Sequence, residues 1–210
     1  MKKIYILISV ALYLFSANAF SQTTEVENMS FFVTSVGSGR GGDLGGLAGA
    51  DAHCQALATA AGAGHREWRA YLSNDADNFG DMINARDRIG EGPWYNAHGI
   101  LIAANVYDLH LYNKTITAYT AVDENGNMID SSRHDMLTGA TEGGSAFLPD
   151  EADHTCNNWT SSDEGSANLG HSDRWGGNVS WNDTHVSAGC SQEALISTGG
   201  DGLFYCFAAD

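Results

Sequence analysis

The stretch Gly202-Leu203-Phe204-Tyr205-Cys206-Phe207 is the part of the 210-residue sequence that most limits the number of possible folds. Its apolar side chains alternate along both faces, which predicts a buried β-strand with Leu203, Tyr205 and Phe207 on one side. A disulfide from Cys206 would tie this strand to another part of the chain. The other cysteines are Cys54, Cys156 and Cys190. Four cysteines allow three pairings, and their layout suggests a framework that ties an early residue to a late one.

The first residues have the composition of a secretory signal peptide. Lys2 and Lys3 precede an apolar run, and cleavage is predicted after Ala19 or Ser21. The sequence is expected to divide into a signal peptide at 1–21, a flexible segment at 22–30 and a single domain at 31–210. No other segment reaches the ~18 apolar residues that span a bilayer. We therefore expect a secreted or periplasmic protein, in a compartment where thiols oxidise.

The chain is strongly acidic, with 26 acidic and 10 basic residues. Lys114 is the only lysine outside the predicted signal peptide. Polyanions and anionic lipids require clustered basic side chains. We therefore expect no nucleic-acid partner, no heparin-like partner and no membrane insertion. We also expect a monomer. Carboxylates are ligands that calcium prefers, so calcium is the one cofactor that this composition favours.

Before the strand at 202–207, the sequence predicts few helices and several short strands. An apolar face through Leu47, Cys54 and Ala61 predicts one helix. Strands are predicted at 31–34, 68–72 and 99–103, a mobile glycine-rich connector at 37–46, and a β-hairpin with an Asn-Gly type I′ turn at 116–129. Residues 130–180 show no period and predict a long, ordered loop region of functional importance.

Several segments together carry a resemblance to a known family. They are the opening strand, the helix around Cys54, the stretches Trp68-Arg69-Ala70-Tyr71-Leu72-Ser73 and Asn84-Ala85-Arg86-Asp87-Arg88, the segment Cys156 to Thr160, Cys190, and Tyr205-Cys206-Phe207. This pattern resembles the C-type lectin-like fold, and within it the endostatin-like branch and bacterial secreted relatives labelled lectin. The resemblance implies an α+β domain with a small mixed or antiparallel sheet, one or two helices, a long irregular loop region and two nested disulfides. The implied pairs are Cys54 with Cys206 and Cys156 with Cys190.

The resemblance also implies a sugar site, because sugar-binding members carry a Trp-Asn-Asp triplet between the second and third cysteines. Here Trp181-Asn182-Asp183 occupies that place. The implied calcium ligands are Asn182 and Asp183 with Asp150, Glu151 and Asp153, and the implied sugar-stacking residues are Trp159 and Trp175. Leu148 departs from the family's metal-binding motif, and the spacing of Cys156 and Cys190 is closer to endostatin. An interpretation with Trp181 in the core and Asn182-Asp183 in a turn therefore stays open.

Two other functions also stay open. A protein-binding adhesion or matrix module could use the tryptophans without sugar or calcium. A metal-dependent or serine hydrolase could use a zinc site or a catalytic pair. Its candidate residues are His134, Asp135, His154, His171, Asp173 and His185, with Ser161, Ser162 or Ser172 as nucleophile. The sequence contains neither HExxH nor G-x-S-x-G. It favours a non-enzymatic binding protein for a glycan or an extracellular protein.

Overall fold

The computed structural model describes residues 27–76, 81–112, 114–174 and 180–210. The predicted signal peptide and Trp175 lie outside these ranges. Met29 and Ser30 are fully buried, so packing begins before Phe31, where the domain was predicted to start. In the part that is described, no helix is long and apolar enough to cross a membrane.

The main sheet has six strands and is mixed. Its strands are β1 (Phe31–Val33), β2 (Trp68–Ala70), β5 (Asp135–Leu137), β6 (Asn168–His171), β7 (His185–Val186) and β8 (Gly200–Ala208). The closing strand β8 is central, since β1 and β2 pair with it antiparallel and β5 pairs with it parallel. The antiparallel strands β6 and β7 extend the sheet beyond β5. A separate two-stranded sheet consists of β3 (Trp94–Tyr95) and β4 (Leu101–Ala103).

Helices contribute little to this α+β domain. They are α1 (Gly46–Ala60) and the short α2 (Gln192–Ser197). Ala85–Asp87 and Ser131–Arg133 form 3₁₀ turns, and Asp108–Tyr112 forms a π-helical turn. Cys156–Trp159 forms a helical turn in which all four residues have positive φ. We call it the left-handed turn.

Two hydrophobic cores lie on opposite faces of β8, as the alternation in its sequence predicts. Phe204 and Cys206 belong to the core under α1. Leu203, Tyr205 and Phe207 belong to the second core. A strand buried on both faces has few polar positions, which explains its near-continuous apolar sequence.

Both predicted disulfides are confirmed. Cys54 on α1 is bonded to Cys206 on β8, with the Cα atoms 5.7 Å apart. Cys156 in the left-handed turn is bonded to Cys190, with the Cα atoms 5.6 Å apart. Two disulfides are typical of proteins in an extracellular or other oxidising compartment.

The glycine-rich segment 37–46 packs closely against the second disulfide and is not a free connector. The Gly42 amide donates a hydrogen bond to the Cys190 carbonyl at 2.8 Å. A Cβ atom at Gly42 would lie 2.5 Å from the Cys156 sulfur. The glycine is therefore required by a close approach of two chain segments.

Two other predictions were wrong in part. Strands β5 and β6 lie inside the region predicted to be irregular, because Met136, Leu137 and Leu169 pack into the cores. The predicted hairpin is reduced to one bridge between Val122 and Met128. Asp123 closes the intervening loop by accepting hydrogen bonds from two backbone amides, so a tight type I′ turn does not form.

Candidate functional site

Asn182 is part of the core. Its side chain is fully buried, and its Nδ2 donates hydrogen bonds to Tyr71 Oη at 2.9 Å and to the carbonyls of Thr141 and Glu142. Its Oδ1 accepts a hydrogen bond from Ser180 Oγ at 3.0 Å. These contacts occupy the amide oxygen that was predicted to bind calcium.

Trp181 and Asp183 flank Asn182 and are also engaged within the domain. Trp181 is 3% exposed and packs in the second core. Asp183 accepts hydrogen bonds from Asn168 Nδ2 at 3.1 Å and from the Glu142 amide at 2.9 Å. The triplet therefore contributes packing and internal hydrogen bonds. Trp181 lies in the core, as the alternative interpretation predicted.

The stacking role predicted for Trp159 is wrong. Its side chain is fully buried, and its indole Nε1 donates a hydrogen bond to the Ser73 carbonyl at 2.8 Å. A buried ring cannot present a face to a sugar. Trp175, the alternative stacking residue, lies outside the described residues.

The three carboxylates predicted to complete the calcium shell lie at the rim of one cavity. Asp153 accepts hydrogen bonds from the amides of Thr155, Asn157 and Ser166. Asp150 accepts a hydrogen bond from the Ala152 amide. This bond, and to a smaller extent the hydrogen bond with His154, holds the pKa of Asp150 below the usual range. Glu151 is exposed. Within the described ranges, His, Cys, Asp and Glu side chains form two groups of potential metal ligands, and neither includes Asp150, Glu151, Asp153 or Asp183. Of the five predicted calcium ligands, Asp150, Glu151 and Asp153 line this cavity, while the oxygens of Asn182 and Asp183 accept hydrogen bonds within the domain.

The cavity beside these carboxylates has a volume of about 370 Å³. Its polar lining consists of Asp75, Asp150, Glu151, Asp153, Thr155, Asn157 and Asn158, and its apolar lining includes Phe147, Leu148 and Pro149. Asn157 and Asn158 belong to the left-handed turn, and each has φ of 53°. A non-glycine residue in this conformation costs about 1–2 kcal/mol, and asparagine tolerates it better than most residues.

The left-handed turn is held in place by hydrogen bonds of Thr155 and by a disulfide. Thr155 Oγ1 accepts a hydrogen bond from the Asn158 amide at 3.1 Å and donates one to Asp75 at 2.8 Å. The Cys156–Cys190 disulfide anchors the same turn to the end of the loop region. Strained backbone that is fixed in this way is found preferentially at binding sites.

Four of the residues considered for a hydrolase meet at the edge of the sheet. His134, His171 and His185 surround the Asp135 carboxylate, with distances from their Nε2 atoms to Asp135 Oδ1 of 3.3, 3.2 and 3.5 Å. Asp173 lies beside this cluster, with Oδ2 3.9 Å from His134 Nδ1. This histidine cluster, defined as His134, Asp135, His171 and His185, could not be located from spacing because its members come from separate strands.

Two of the three serines considered as nucleophiles, Ser161 and Ser172, donate their hydroxyl hydrogens to backbone carbonyls. Ser161 Oγ donates its hydrogen bond to the Glu164 carbonyl, and Ser172 Oγ donates to the His134 carbonyl at 3.2 Å. In a Ser-His catalytic pair, the serine hydroxyl donates its hydrogen bond to the imidazole. The geometry of Ser161 and Ser172 therefore gives no support to a serine hydrolase.

A further histidine, His110, belongs to the buried network around Asn182. Its Nδ1 lies 2.7 Å from the Val106 carbonyl and its Nε2 lies 2.7 Å from Tyr71 Oη. Burial, partly opposed by the hydrogen bond to Val106, lowers the pKa of His110, and burial raises the pKa of Tyr71. Both side chains are therefore neutral in the folded protein near pH 7.

The lowered pKa of His110 makes stability depend on pH. The unfolded histidine titrates near 6.5, so below that pH the unfolded state binds a proton that the folded state resists. The contribution is fully present above about pH 6.5 and is lost as pH falls toward the folded pKa. We expect the wild type to lose more unfolding free energy between pH 7.5 and 5 than His110→Gln, in denaturant titrations. Equal losses in the two proteins would contradict this assignment.

No protein-family model and no curated protein compared with the chain matches it.

Proposed function

We propose that the protein is an extracellular, non-enzymatic domain of C-type lectin-like fold that binds a neutral carbohydrate in the 370 Å³ cavity. The observation that carries the proposal is the left-handed turn, which presents Asn157 and Asn158 at a wall lined by carboxylates. Amide and carboxylate groups are suitable partners for sugar hydroxyls, since hydroxyls both donate and accept hydrogen bonds. The apolar lining can contact the C–H faces of a sugar ring.

The fold supports a lectin-like assignment in three respects. The first and last strands pair in one sheet, the two disulfides are nested, and the second disulfide anchors the loop region. The net charge of −16 disfavours anionic glycans. Because the side-chain oxygens of Asn182 and Asp183 accept hydrogen bonds within the domain, we propose binding that does not require calcium.

The proposal is tested with a glycan array, probed by the mature protein with and without added calcium. We expect binding to neutral glycans under both conditions. Glu151→Ala should weaken binding of the best glycan by about tenfold, since a hydrogen bond to a charged group contributes about 1.5–3 kcal/mol. Calorimetry gives the two affinities.

Glu91→Ala is the matched control, because Glu91 is also exposed and is not part of the cavity lining. Its glycan affinity should equal that of the wild type. The proposal fails if no glycan binds, or if Glu151→Ala and Glu91→Ala have the same affinity. Binding that appears only with calcium would overturn the calcium-independent site.

A further inference from the structure

We propose that the histidine cluster is a binding site for zinc or another divalent transition metal of similar preference. This site goes beyond the proposed carbohydrate cavity and uses different residues. Its metal ligands are Asp135, His171 and His185, whose ligand atoms all lie within 4.8 Å of one another, and His134 lies beside them. The inference rests on the burial of one carboxylate, on the distances among these three ligand atoms and on the orientation of the imidazole rings.

The buried carboxylate of Asp135 lacks a hydrogen-bond donor within the described residues. Its side chain is 0% exposed, and this lack applies to both of its oxygen atoms. Burial of an ionised carboxylate without compensation is strongly unfavourable. Three imidazole nitrogens lie within 3.5 Å of Oδ1, but they do not donate hydrogen bonds to it. A cation bound by Asp135, His171 and His185 would compensate the charge.

The distances fit a tetrahedral metal site. Zinc binds imidazole nitrogen and carboxylate oxygen at about 2.0–2.1 Å, which places neighbouring ligand atoms about 3.3–3.4 Å apart in a tetrahedron. The distances from Asp135 Oδ1 to the three Nε2 atoms are 3.2, 3.3 and 3.5 Å. The distance between His171 Nε2 and His185 Nε2 is 3.1 Å. The three distances among Asp135 Oδ1, His171 Nε2 and His185 Nε2 are thus within about 0.3 Å of the length expected for one face of the tetrahedron.

The orientation of the His185 ring favours coordination through Nε2. Its Nδ1 lies 3.2 Å from the Val186 carbonyl, and Nδ1 of the neighbouring His134 lies 2.7 Å from the Ser131 carbonyl. When Nδ1–H donates to a carbonyl, the lone pair is on Nε2, which faces the centre of the cluster. Histidines that bind metals are usually fixed by this kind of hydrogen bond.

The sheet register brings the ligands together. Asp135 on β5 is paired directly with His171 on β6. His185 on β7 is paired with Leu169, two residues from His171 and therefore on the same face. His134 immediately precedes β5, at the end of the 3₁₀ turn. A bound metal would therefore crosslink three strands and both ends of the connection at 172–184.

The ligand set indicates the class of metal and its role. Two imidazoles favour zinc and similar transition metals, whereas calcium and magnesium prefer oxygen ligands. Asp173 adds a nearby negative charge. With three protein ligands, the fourth position of a tetrahedral site is left to water. Because the ligands come from β5, β6 and β7, we assign the metal to stabilisation of this part of the sheet.

The test is zinc titration of the mature protein after removal of metals by a chelator and dialysis. Calorimetry should show one zinc ion per chain. The variant His185→Ala should bind zinc at least about 100-fold more weakly, because it removes one of three ligands. This side chain is 37% exposed on a two-residue edge strand, so the variant should fold. His171→Ala is a second variant with the same expected loss, and circular dichroism verifies that both are folded.

His98→Ala is the control, since His98 is exposed and lies outside the histidine cluster. Its zinc affinity should equal that of the wild type. Cobalt(II) gives an independent readout, because a tetrahedral site should show intense visible absorption that is lost in His185→Ala. The proposal is overturned if the wild type binds no stoichiometric zinc, if His185→Ala retains the wild-type affinity, or if cobalt shows only the weak absorption of six-coordinate ions. If the wild type binds no stoichiometric zinc, a hydrogen bond between His171 and His185 accounts for the 3.1 Å between their Nε2 atoms.

Discussion

Replacing both Cys54 and Cys206 with alanine is expected to lower the free energy of unfolding by up to about 5 kcal/mol. The disulfide joins residues 152 apart in sequence, and in the chain-entropy model a loop of that length contributes about this much. Domains of this kind are typically stable by only about 5–15 kcal/mol. The double variant should therefore be partly unfolded at physiological temperature. Denaturant titration with linear extrapolation measures the change.

The variant with both Cys156 and Cys190 replaced by alanine is the matched comparison. All four cysteines are fully buried, so the loss of sulfur packing is similar in the two variants. The second disulfide spans 34 residues, which corresponds to about 4 kcal/mol. Release of the strained left-handed turn should offset part of that loss. A larger destabilisation for Cys156/Cys190 than for Cys54/Cys206 would contradict both arguments.

The architecture could be predicted from sequence where local pattern and burial agree. The alternation at 202–207 predicted a strand with Leu203, Tyr205 and Phe207 on one face, and the apolar face around Cys54 predicted a helix. Both features depend on hydrophobic periodicity, which can be read directly from the sequence. Strands β5 and β7 have three and two residues and leave no detectable period.

The candidate sites could be predicted only in part, because they depend on contacts between distant residues. Asn182 has the residue type of a calcium ligand, but its hydrogen-bond partner Tyr71 lies 111 residues earlier. Trp159 lies in a sequence rich in polar residues, and nothing there indicates its burial. The residues of the histidine cluster were recognised as metal ligands by type, while their assembly depends on the register of β5, β6 and β7.

Asp51→Ala is expected to destabilise the domain by about 3–5 kcal/mol, the range for removal of one partner of a buried ion pair. Asp51 lies on the buried face of α1 and contacts Arg88 Nη2 through both carboxylate oxygens at 2.8 Å. It also accepts hydrogen bonds from Arg69 Nη1 and from the Ala70 amide. The side chains of Arg88 and Asp51 are each 12% exposed. Without Asp51, the Arg88 guanidinium would remain largely buried without its carboxylate partner. Denaturant titration of the wild type and the variant measures the difference.

Two further variants separate the causes of this effect. Glu67 also pairs with Arg69 but is 57% exposed, so Glu67→Ala should cost no more than about 1 kcal/mol. Asp51→Asn retains an oxygen that can accept from the Ala70 amide but removes the charge that compensates Arg88. If charge compensation dominates, Asp51→Asn should lose most of the stability that Asp51→Ala loses. If the backbone hydrogen bond dominates, Asp51→Asn should remain within about 1.5 kcal/mol of the wild type. An Asp51→Ala variant as stable as Glu67→Ala would show that this buried ion network does not hold α1 to β2.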